Sequence, residues 1–555
     1  MLRWMPSNPL LNAISSASIR RIWDFRPQEL ASTAWSWARM LLTDHRPLPE
    51  SIASAAMPNL NEWRSQELAN TAWAFARLAL LDSPFLQSLS SAFRNRVPSL
   101  SSGSLSPHVT AGAGSPEMRH VEMMLWALSR LDDLSHTWDF LHAAVAHDWA
   151  VGSFSLAGPL AECEHRGLTA AEGRLLQLLA LCPDLRMPTL CSIVLRLAAD
   201  GESDVYNAFQ SSDDRRVYHL VTVISAQAME VCKPSAASLS SACTRHFGGH
   251  GKPHDKESRL LAHVLATAPA GNPVAICQAI EEFGRDNLSR RYGGSGGWAP
   301  SAGQWLKVAG DEKAEVLAMA ARTAPAGGQF LEIGTYCGYS SLRLAVASPG
   351  TRILTLEADP GNAVIARMIV AYAGLSQLVD VRIGHSEDFL PRLLQDVGIM
   401  HHAAMDGKRV SFSLVFFDQR GSRYSADLSM LEQLDVLAPG AVVVADNVLK
   451  PGAPIFLWHV LRSGMYETQV VTVGEYAMPG VEDWMSVSVL IHRVAELPEI
   501  PKELRQLEWE ADRMRSRAEQ RPGVDFAAWT EFATQMRLAL AKVGIVAGSS
   551  QLRRR

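Results

Sequence analysis

The chain has 555 residues, 47% hydrophobic and 20% charged, with a formal net charge of −5. This usage excludes a collagen-like, fibrous or disordered chain, and the weak negative charge argues against a strongly basic nucleic-acid protein. The 7 cysteines are odd in number and lack Cys-x-x-Cys spacing, which fits free thiols in a reducing compartment better than a disulfide frame or a zinc site.

No apolar run reaches ~18 residues, so no membrane span is expected. At ~150 residues per domain the length allows three or four domains. Two features divide the chain. Nine of its 15 tryptophans lie between Trp4 and Trp149, and lysine is absent until Lys233 although arginine is common before it.

Residues 1–22 carry Arg3, Arg20 and Arg21, several serines and no acid. They read as a targeting segment, as a disordered leader or as an ordinary N-terminal helix. The expected compartment is cytoplasmic, or mitochondrial or plastid if the segment is a targeting signal.

Residues 23–150 contain a repeat. Arg26-Pro-Gln-Glu-Leu-Ala-Ser-Thr-Ala-Trp-Ser-Trp-Ala-Arg39 matches Arg64-Ser-Gln-Glu-Leu-Ala-Asn-Thr-Ala-Trp-Ala-Phe-Ala-Arg77 at an offset of 77 − 39 = 38, and a weaker copy runs through Met124–Arg130. Apolar residues at helical spacing (Leu30, Ala34, Trp37; Leu68, Ala72, Phe75) predict stacked helices. Gln28 and Glu29 sit at a helix start, where an acid suits the helix dipole. This part resembles the octotricopeptide-like helical repeats of organellar and algal proteins, which implies RNA or protein as a partner. With 12 Arg against 13 Asp+Glu in residues 1–150, the net charge is 12 − 13 = −1. Phosphate binding calls for a basic stripe, so protein contact is the favoured partner and RNA the second.

Residues 98–116 read as a Ser/Gly-rich loop. Residues 151–265 form a further α-helical region, with helices expected at Ala170–Leu181 and Val217–Val231. The His-rich run Arg245–His254 contains glycines that favour a flexible loop over a metal site. A boundary is placed at residues 266–272.

From residue 329 short β-rich runs alternate with helix-length stretches: Gln329–Gly334, Arg352–Ala358, Val379–Gly384, Leu414–Asp418 and Ala441–Asn447. Two later strands follow at about 468–474 and Ser486–Arg493. The pattern predicts a Rossmann-like α/β domain with ligands at the carboxyl ends of the strands, preceded by the all-α repeats.

The first strand end carries Gly334 and Gly338, which let backbone approach a ligand. An acid 357 − 332 = 25 residues on, Glu357, is placed to accept hydrogen bonds from ribose hydroxyls. Together they indicate a nucleoside ligand such as S-adenosylmethionine, against a dinucleotide fold or a bare turn. At the third strand end Ser386 and Glu387 are candidates for an adenine edge, or Ser386 is a helix N-cap. The fourth and fifth strands end in Asp418 and in Asp446–Asn447. Oxygen donors without His or Cys suit a hard cation, Mg²⁺ before others.

These residues carry a family resemblance. Leu331-Glu-Ile-Gly-Thr-Tyr-Cys-Gly-Tyr-Ser340, Ala445-Asp-Asn-Val448, Pro451-Gly-Ala-Pro454 and Trp305-Leu-Lys-Val-Ala-Gly-Asp311 resemble catechol O-methyltransferase over about residues 276–493. The resemblance implies Mg²⁺-dependent methyl transfer from S-adenosylmethionine to a catechol hydroxyl. By matching position, Glu332, Gly334, Tyr336 and Ser340 would hold the methionine part, Glu357 the ribose and Ser386 the adenine region. Ala309, Ala358, Gly384, Glu387 and Asp418 complete the cofactor contacts. Asp418, Asp446 and Asn447 would bind the metal. Trp305, Asn447, Pro451 and Glu475 would face the acceptor.

The sequence departs from the family at one important point. The family's general-base lysine follows the first metal aspartate by three residues, where this chain has Gly421. Gln419 and Arg420 replace a His and a Trp that face the cofactor, and Lys307 stands where the family has Met. Three readings follow: the metal alone acidifies the phenol; Lys307, Lys450 or Arg420 supplies charge from elsewhere; or the domain binds cofactor without transferring methyl. The catalytic set is thus Asp418, Glu475, Lys450 and Lys307. Arg420 is a poor base because it stays protonated. A pocket that has gained charge suits an acceptor other than a catecholamine, such as another vicinal-diol phenol or a phenylpropanoid. The rival from another class is an RNA- or protein-binding adaptor with a degenerate methyltransferase domain. The methyltransferase domain is expected over residues 266–495. Residues 496–555 read as a charged helical tail that packs on the N-terminal helices or mediates assembly.

Overall fold

The computed structural model describes residues 9–39, 47–78, 80, 83–95, 116–131, 137, 156–166, 254–289, 306–396, 399, 409–478, 480–493, 499–520 and 526–548. Trp305, the two helices expected within 151–265, the 98–116 loop apart from Pro116, and the His-rich run before His254 lie outside them. The chain divides into two compact units, Met1–Pro183 and Asp184–Arg555.

The first unit is helical. Its described helices are α1 (Pro9–Arg20), α2 (Pro27–Arg39), α3 (Pro47–Ala56), α4 (Ser65–Arg77), α5 (Ser83–Arg94), α6 (Pro116–Leu131) and α7 (Ala157–Arg166). The two matching segments become α2 and α4, each of 13 residues. In both, the glutamate at the third helical position turns back to accept the N–H of the arginine before the helix, Arg26 to Glu29 and Arg64 to Glu67, each at 2.8 Å. That bond satisfies a donor the helix cannot.

Helix α2 packs on α4, α4 on α6, and α6 on α7. The weak copy is therefore a third layer, and α7 adds a fourth that the repeat pattern did not show. Trp35 and Trp73, at equivalent positions, stack with centroids 4.1 Å apart, and Trp73 meets Trp126 at 6.3 Å. Arg77 lies over Trp73 and Arg130 over Trp126. A Cβ at Gly158 would come 2.7 Å from the Trp126 Cα, so the fourth layer closes on a position where only glycine fits.

The first described elements of the second unit are α8 (Asp255–Thr267), α9 (Pro273–Ser289) and α10 (Glu312–Thr323). There follow β1 (Gln329–Ile333), α11 (Tyr339–Ala347), β2 (Ile353–Glu357), α12 (Pro360–Tyr372), β3 (Val379–Ile383), the short α13 (Ser386–Phe389), β4 (Phe412–Phe417), α14 (Gly421–Gln433), β5 (Leu437–Ala445), α15 (Pro454–Arg462), β6 (Tyr466–Gly474) and β7 (Glu482–Leu490). The sheet order is β3-β2-β1-β4-β5-β7-β6, with the first five strands parallel and β7 antiparallel to both neighbours. Every predicted strand is present. The order reverses between β1 and β4, where an open α/β sheet forms its binding crevice.

The unit is larger than the 266–495 expected. Helix α8 packs on α9 and α12, so the fold takes in residues before 266. The charged tail forms α16 (Lys502–Gln520) and α17 (Phe526–Lys542), and both belong to the sheet's own core. Leu504, Met536, Leu540 and Ile545 are buried with β4, β5 and α15 residues. Beyond α17, Gly548 pairs with Val471 as a parallel bridge on β6. Apolar residues at helical spacing on a charged helix mark one buried stripe, and here the stripe faces this sheet.

Glu508 on α16 is 8% exposed and accepts the Ile455 N–H at 3.3 Å. Burial pushes its carboxyl from 4.5 up to about 8. Between those values the folded chain holds a proton that the unfolded chain has lost, so stability falls as pH rises through this window. Glu508→Gln should leave the thermal midpoint of this unit unchanged near pH 4 and raise it above pH 8. Equal midpoints at pH 9 would contradict the burial argument.

Candidate functional site

The strand ends are drawn together by backbone geometry. Gly334 has φ +106°, and a Cβ there would stand 2.0 Å from the Asp418 carbonyl oxygen. Only glycine lets β1 end this close to β4. The pairing then continues one residue past each strand: Asp418 N–H donates to Ile333 O at 2.9 Å and Asp446 N–H to Phe417 O at 3.0 Å.

On the β1–β2 side, Glu332 is fully buried. Its Oε2 accepts from the hydroxyls of Ser341 and Thr355, and Oε1 lies beside Ser340 without a well-formed hydrogen bond. Burial raises its carboxyl. Glu357 accepts the Tyr336 N–H at 2.6 Å and the Asp359 N–H at 2.9 Å, and burial raises it to about 7. Tyr336 has φ 51°, and its hydroxyl donates to Glu257 of α8 at 2.5 Å while Lys256 lies over the ring. His254 meets Asp359 at 2.7 Å. Helix α8, which the reading of the sequence left outside this domain, therefore packs beside the expected ribose position.

Ala309 is buried before α10, and Ala358 and Gly384 follow β2 and β3. Ser386 is the first residue of α13, with His385 as N-cap, which corrects the N-cap alternative. Its hydroxyl donates to Asp427 at 2.6 Å, and Gln419 donates to both Ser386 and Asp427. Glu387 pairs with Arg423 at 3.0 Å.

On the β4–β5 side, Asp418 follows β4, and Asp446 and Asn447 follow β5, at the adjoining ends of a parallel strand pair. Burial, then the charge of Asp446, holds the Asp418 carboxyl well above its ordinary range. Asn447 sits in the left-handed region at φ 55°, and its N–H donates to Asp446 Oδ1 at 2.7 Å.

Two central residues were missed. The Lys313 ammonium, 1% exposed, lies 3.0 Å from Asp446, 2.9 Å from Glu475 and 2.9 Å from Asp483. Asp483 also accepts from Asn447 Nδ2 at 2.8 Å and from the Lys450 N–H at 3.0 Å. Helical spacing places Lys313 on the buried face of α10 with Leu317 and Ala321, and a lysine there is a readable signal. Glu475 is 8% exposed, and burial raises its carboxyl to about 7 against the pull of Lys313.

Lys450 is half-buried beside Pro451, and burial lowers its ammonium below the ordinary value although Asp483, Glu475 and Glu482 oppose this. Lys307 is exposed ahead of α10. Arg420 is committed to α16, 3.1 Å from Asp512 and 3.3 Å from Ser516.

The Gly421 position has a steric cause. A Cβ there would stand 2.6 Å from the Gly452 carbonyl oxygen and 3.2 Å from the Ala453 Cβ. The turn Val448–Gly452 fills that space, and behind it the Met536 methyl would lie 2.7 Å from a Cβ on Gly452.

Among the described residues no group of three or more His, Cys, Asp or Glu is arranged to hold a metal ion. The oxygen set at Asp418, Asp446 and Asn447 differs from that pattern in using an amide, and its crowded carboxylates suit a hard cation.

A seven-stranded sheet with five parallel strands joined by helices and a final antiparallel pair is the fold of a Rossmann-like methyltransferase domain. A family model described as O-methyltransferase matches residues 302–456. Catechol O-methyltransferase B of Danio rerio is 35% identical over 215 residues, 38% of this chain and 71% of that one. Transmembrane O-methyltransferase of Homo sapiens is 33% identical over 229 residues, 41% and 69% of the two chains. Among solved structures, the O-methyltransferase TomG of Streptomyces achromogenes in complex with SAM is 25% identical, covering 34% of this chain and 82% of that one at a TM-score of 0.28. The chain belongs to the catechol O-methyltransferase family. No described helix is long and apolar enough to cross a membrane.

The crowding at Gly421 makes a direct expectation. Gly421→Lys, which restores the family residue, should lower stability by about 1–3 kcal/mol through overpacking and give no gain in rate. A faster, equally stable variant would show that the turn yields.

Proposed function

We propose that the second unit transfers a methyl group from S-adenosyl-L-methionine to one hydroxyl of a catechol-type acceptor in a Mg²⁺-dependent reaction. The observation that carries this is the Asp418/Asp446/Asn447 group, two carboxylates raised by burial beside an amide at neighbouring strand ends. When bound, the sulfonium supplies the methyl, and the divalent ion supplies the charge that chelates both acceptor oxygens and lowers a phenol pKa.

The chain's own residues supply placement. Glu357, fixed by two backbone N–H groups, keeps lone pairs for the ribose hydroxyls. Glu332 offers a buried carboxylate, beside Ser340, to the cationic amino group of the methionine part. Glu475, held on one oxygen by Lys313, accepts a hydrogen bond from the acceptor hydroxyl that is not methylated. Lys450 Nζ, as the neutral amine, receives the proton of the hydroxyl that is, and burial shifts the group toward that form. Pro451 and the Val448–Gly452 turn wall the ring. Most of the acceleration is positioning and electrostatics.

The acceptor is a vicinal-diol phenol. Lys307 stands where the resemblance implies an uncharged residue beside the acceptor, which favours a phenylpropanoid-like acid over a catecholamine. In the first unit the Trp faces are spent on one another, which favours a protein partner over stacked RNA bases.

Purified full-length protein, given labelled S-adenosylmethionine, Mg²⁺ and a catechol panel, should methylate at least one acceptor. EDTA and Asp418→Ala should each abolish this. Cofactor binding without metal-dependent turnover would instead leave a binding domain. In the same assay Lys450→Met should lower kcat by about 10²-fold with little change in acceptor KM. An unchanged kcat would leave acidification to the metal alone.

A further inference from the structure

Asp483 is not itself among the positions expected to hold cofactor, metal or acceptor, yet it holds two residues that are, Asn447 and Lys450. It is fully buried in β7 and takes hydrogen bonds from three elements: Lys313 of α10, the Asn447 side chain after β5 and the Lys450 backbone in the turn. An amide presents either its oxygen or its NH₂ end, and here the NH₂ end is committed to Asp483. The oxygen end is thereby left for another partner, while Asp446 Oδ1 is held by the Asn447 N–H at 2.7 Å and by Lys313 at 3.0 Å, and its Oδ2 by Lys313 at 3.2 Å.

We infer that Asp483, anchored by Lys313, is the positioning residue that presets the divalent-cation site by choosing which end of Asn447 faces the ion. The inference rests on the proposed Mg²⁺ dependence. It also accounts for the left-handed backbone of Asn447: at φ 55° the residue donates its N–H to Asp446 and its side chain to Asp483 together. Outer partners of this kind typically govern about 10–100-fold of metal affinity.

Mn²⁺ binding to the full chain, followed by electron paramagnetic resonance of the free ion, tests this without turnover. Asp483→Asn should weaken binding by about 10–100-fold. Asn447→Asp is the sharper variant. If residue 447 were only an oxygen donor, a carboxylate would bind Mn²⁺ as tightly or more tightly. With Asp483 opposite, the new carboxylate faces a like charge and affinity should fall. The exchanged pair Asn447→Asp/Asp483→Asn restores a donor opposite an acceptor and should recover most of the loss. Thermal melts of each variant separate misfolding from lost affinity, and the exchanged pair carries the test where Asp483→Asn alone does not fold. Undiminished binding in Asn447→Asp, or no recovery in the exchanged pair, would overturn the inference while wild-type binding abolished by Asp418→Ala keeps the metal reading. No Mn²⁺ binding by the wild-type chain would overturn both.

Discussion

One ammonium makes the site possible. Asp418, Asp446 and Glu475 follow β4, β5 and β6, Asp483 lies within β7, and such acids repel one another in a medium that solvates charge poorly. Lys313 meets three of them within 3.0 Å. Burying a lysine is costly unless it is paired and hydrogen-bonded, and here each of its three donors finds a carboxylate. Acids still outnumber it, and burial first, with neighbouring acids adding to it, raises the carboxyls of Asp418, Asp446 and Glu475. That surplus of negative charge is what a divalent cation would relieve. Because Lys313 begins α10 while its partners lie after β5, after β6 and within β7, the same contacts fix the helix to the sheet.

The rest of the acceptor side follows from how the turn after β5 is held. Asp483 holds the Lys450 backbone from the β7 side, and Met536 of α17 presses on Gly452 from the other. The Gly452 carbonyl then occupies the space a side chain at 421 would need. At Gly421, where the resemblance implies a lysine, backbone stands in the way of a side chain, and Lys450 is carried on that same turn. Arg420 fits the same account, since its guanidinium is turned to Asp512 and Ser516 of α16.

Much of this was legible because strand ends are legible. β-rich runs separated by helix-length segments place their last residues at one edge of the parallel strands, so Asp418, Asp446, Asn447 and Glu357 could be placed at that edge before any geometry was known. Lys313 and Asp483 escaped for a different reason. Neither ends a strand; one opens a helix and the other lies within β7, and their meeting depends on a separation of 170 residues in the chain. Ser386 shows a limit of local signals, since a serine before two acids looks like an N-cap, while the backbone turns one residue earlier, at His385. The tail shows another. Its charge suggested a partner elsewhere, and its apolar stripe decided the packing.

The first unit solves a different problem with a different residue set. A helix pair in a repeat cannot bury its apolar face alone, so each layer needs its neighbour. Here equivalent tryptophans on α2, α4 and α6 supply that contact, one ring upon the next. Rings used this way leave their edges and outer faces to cations, and Arg77 and Arg130 take those places. A planar guanidinium stacks on an indole better than a compact ammonium does, so arginine at these positions serves packing as much as charge. In the second unit lysine is used where a point charge must be shared among several carboxylates, which is the task of Lys313.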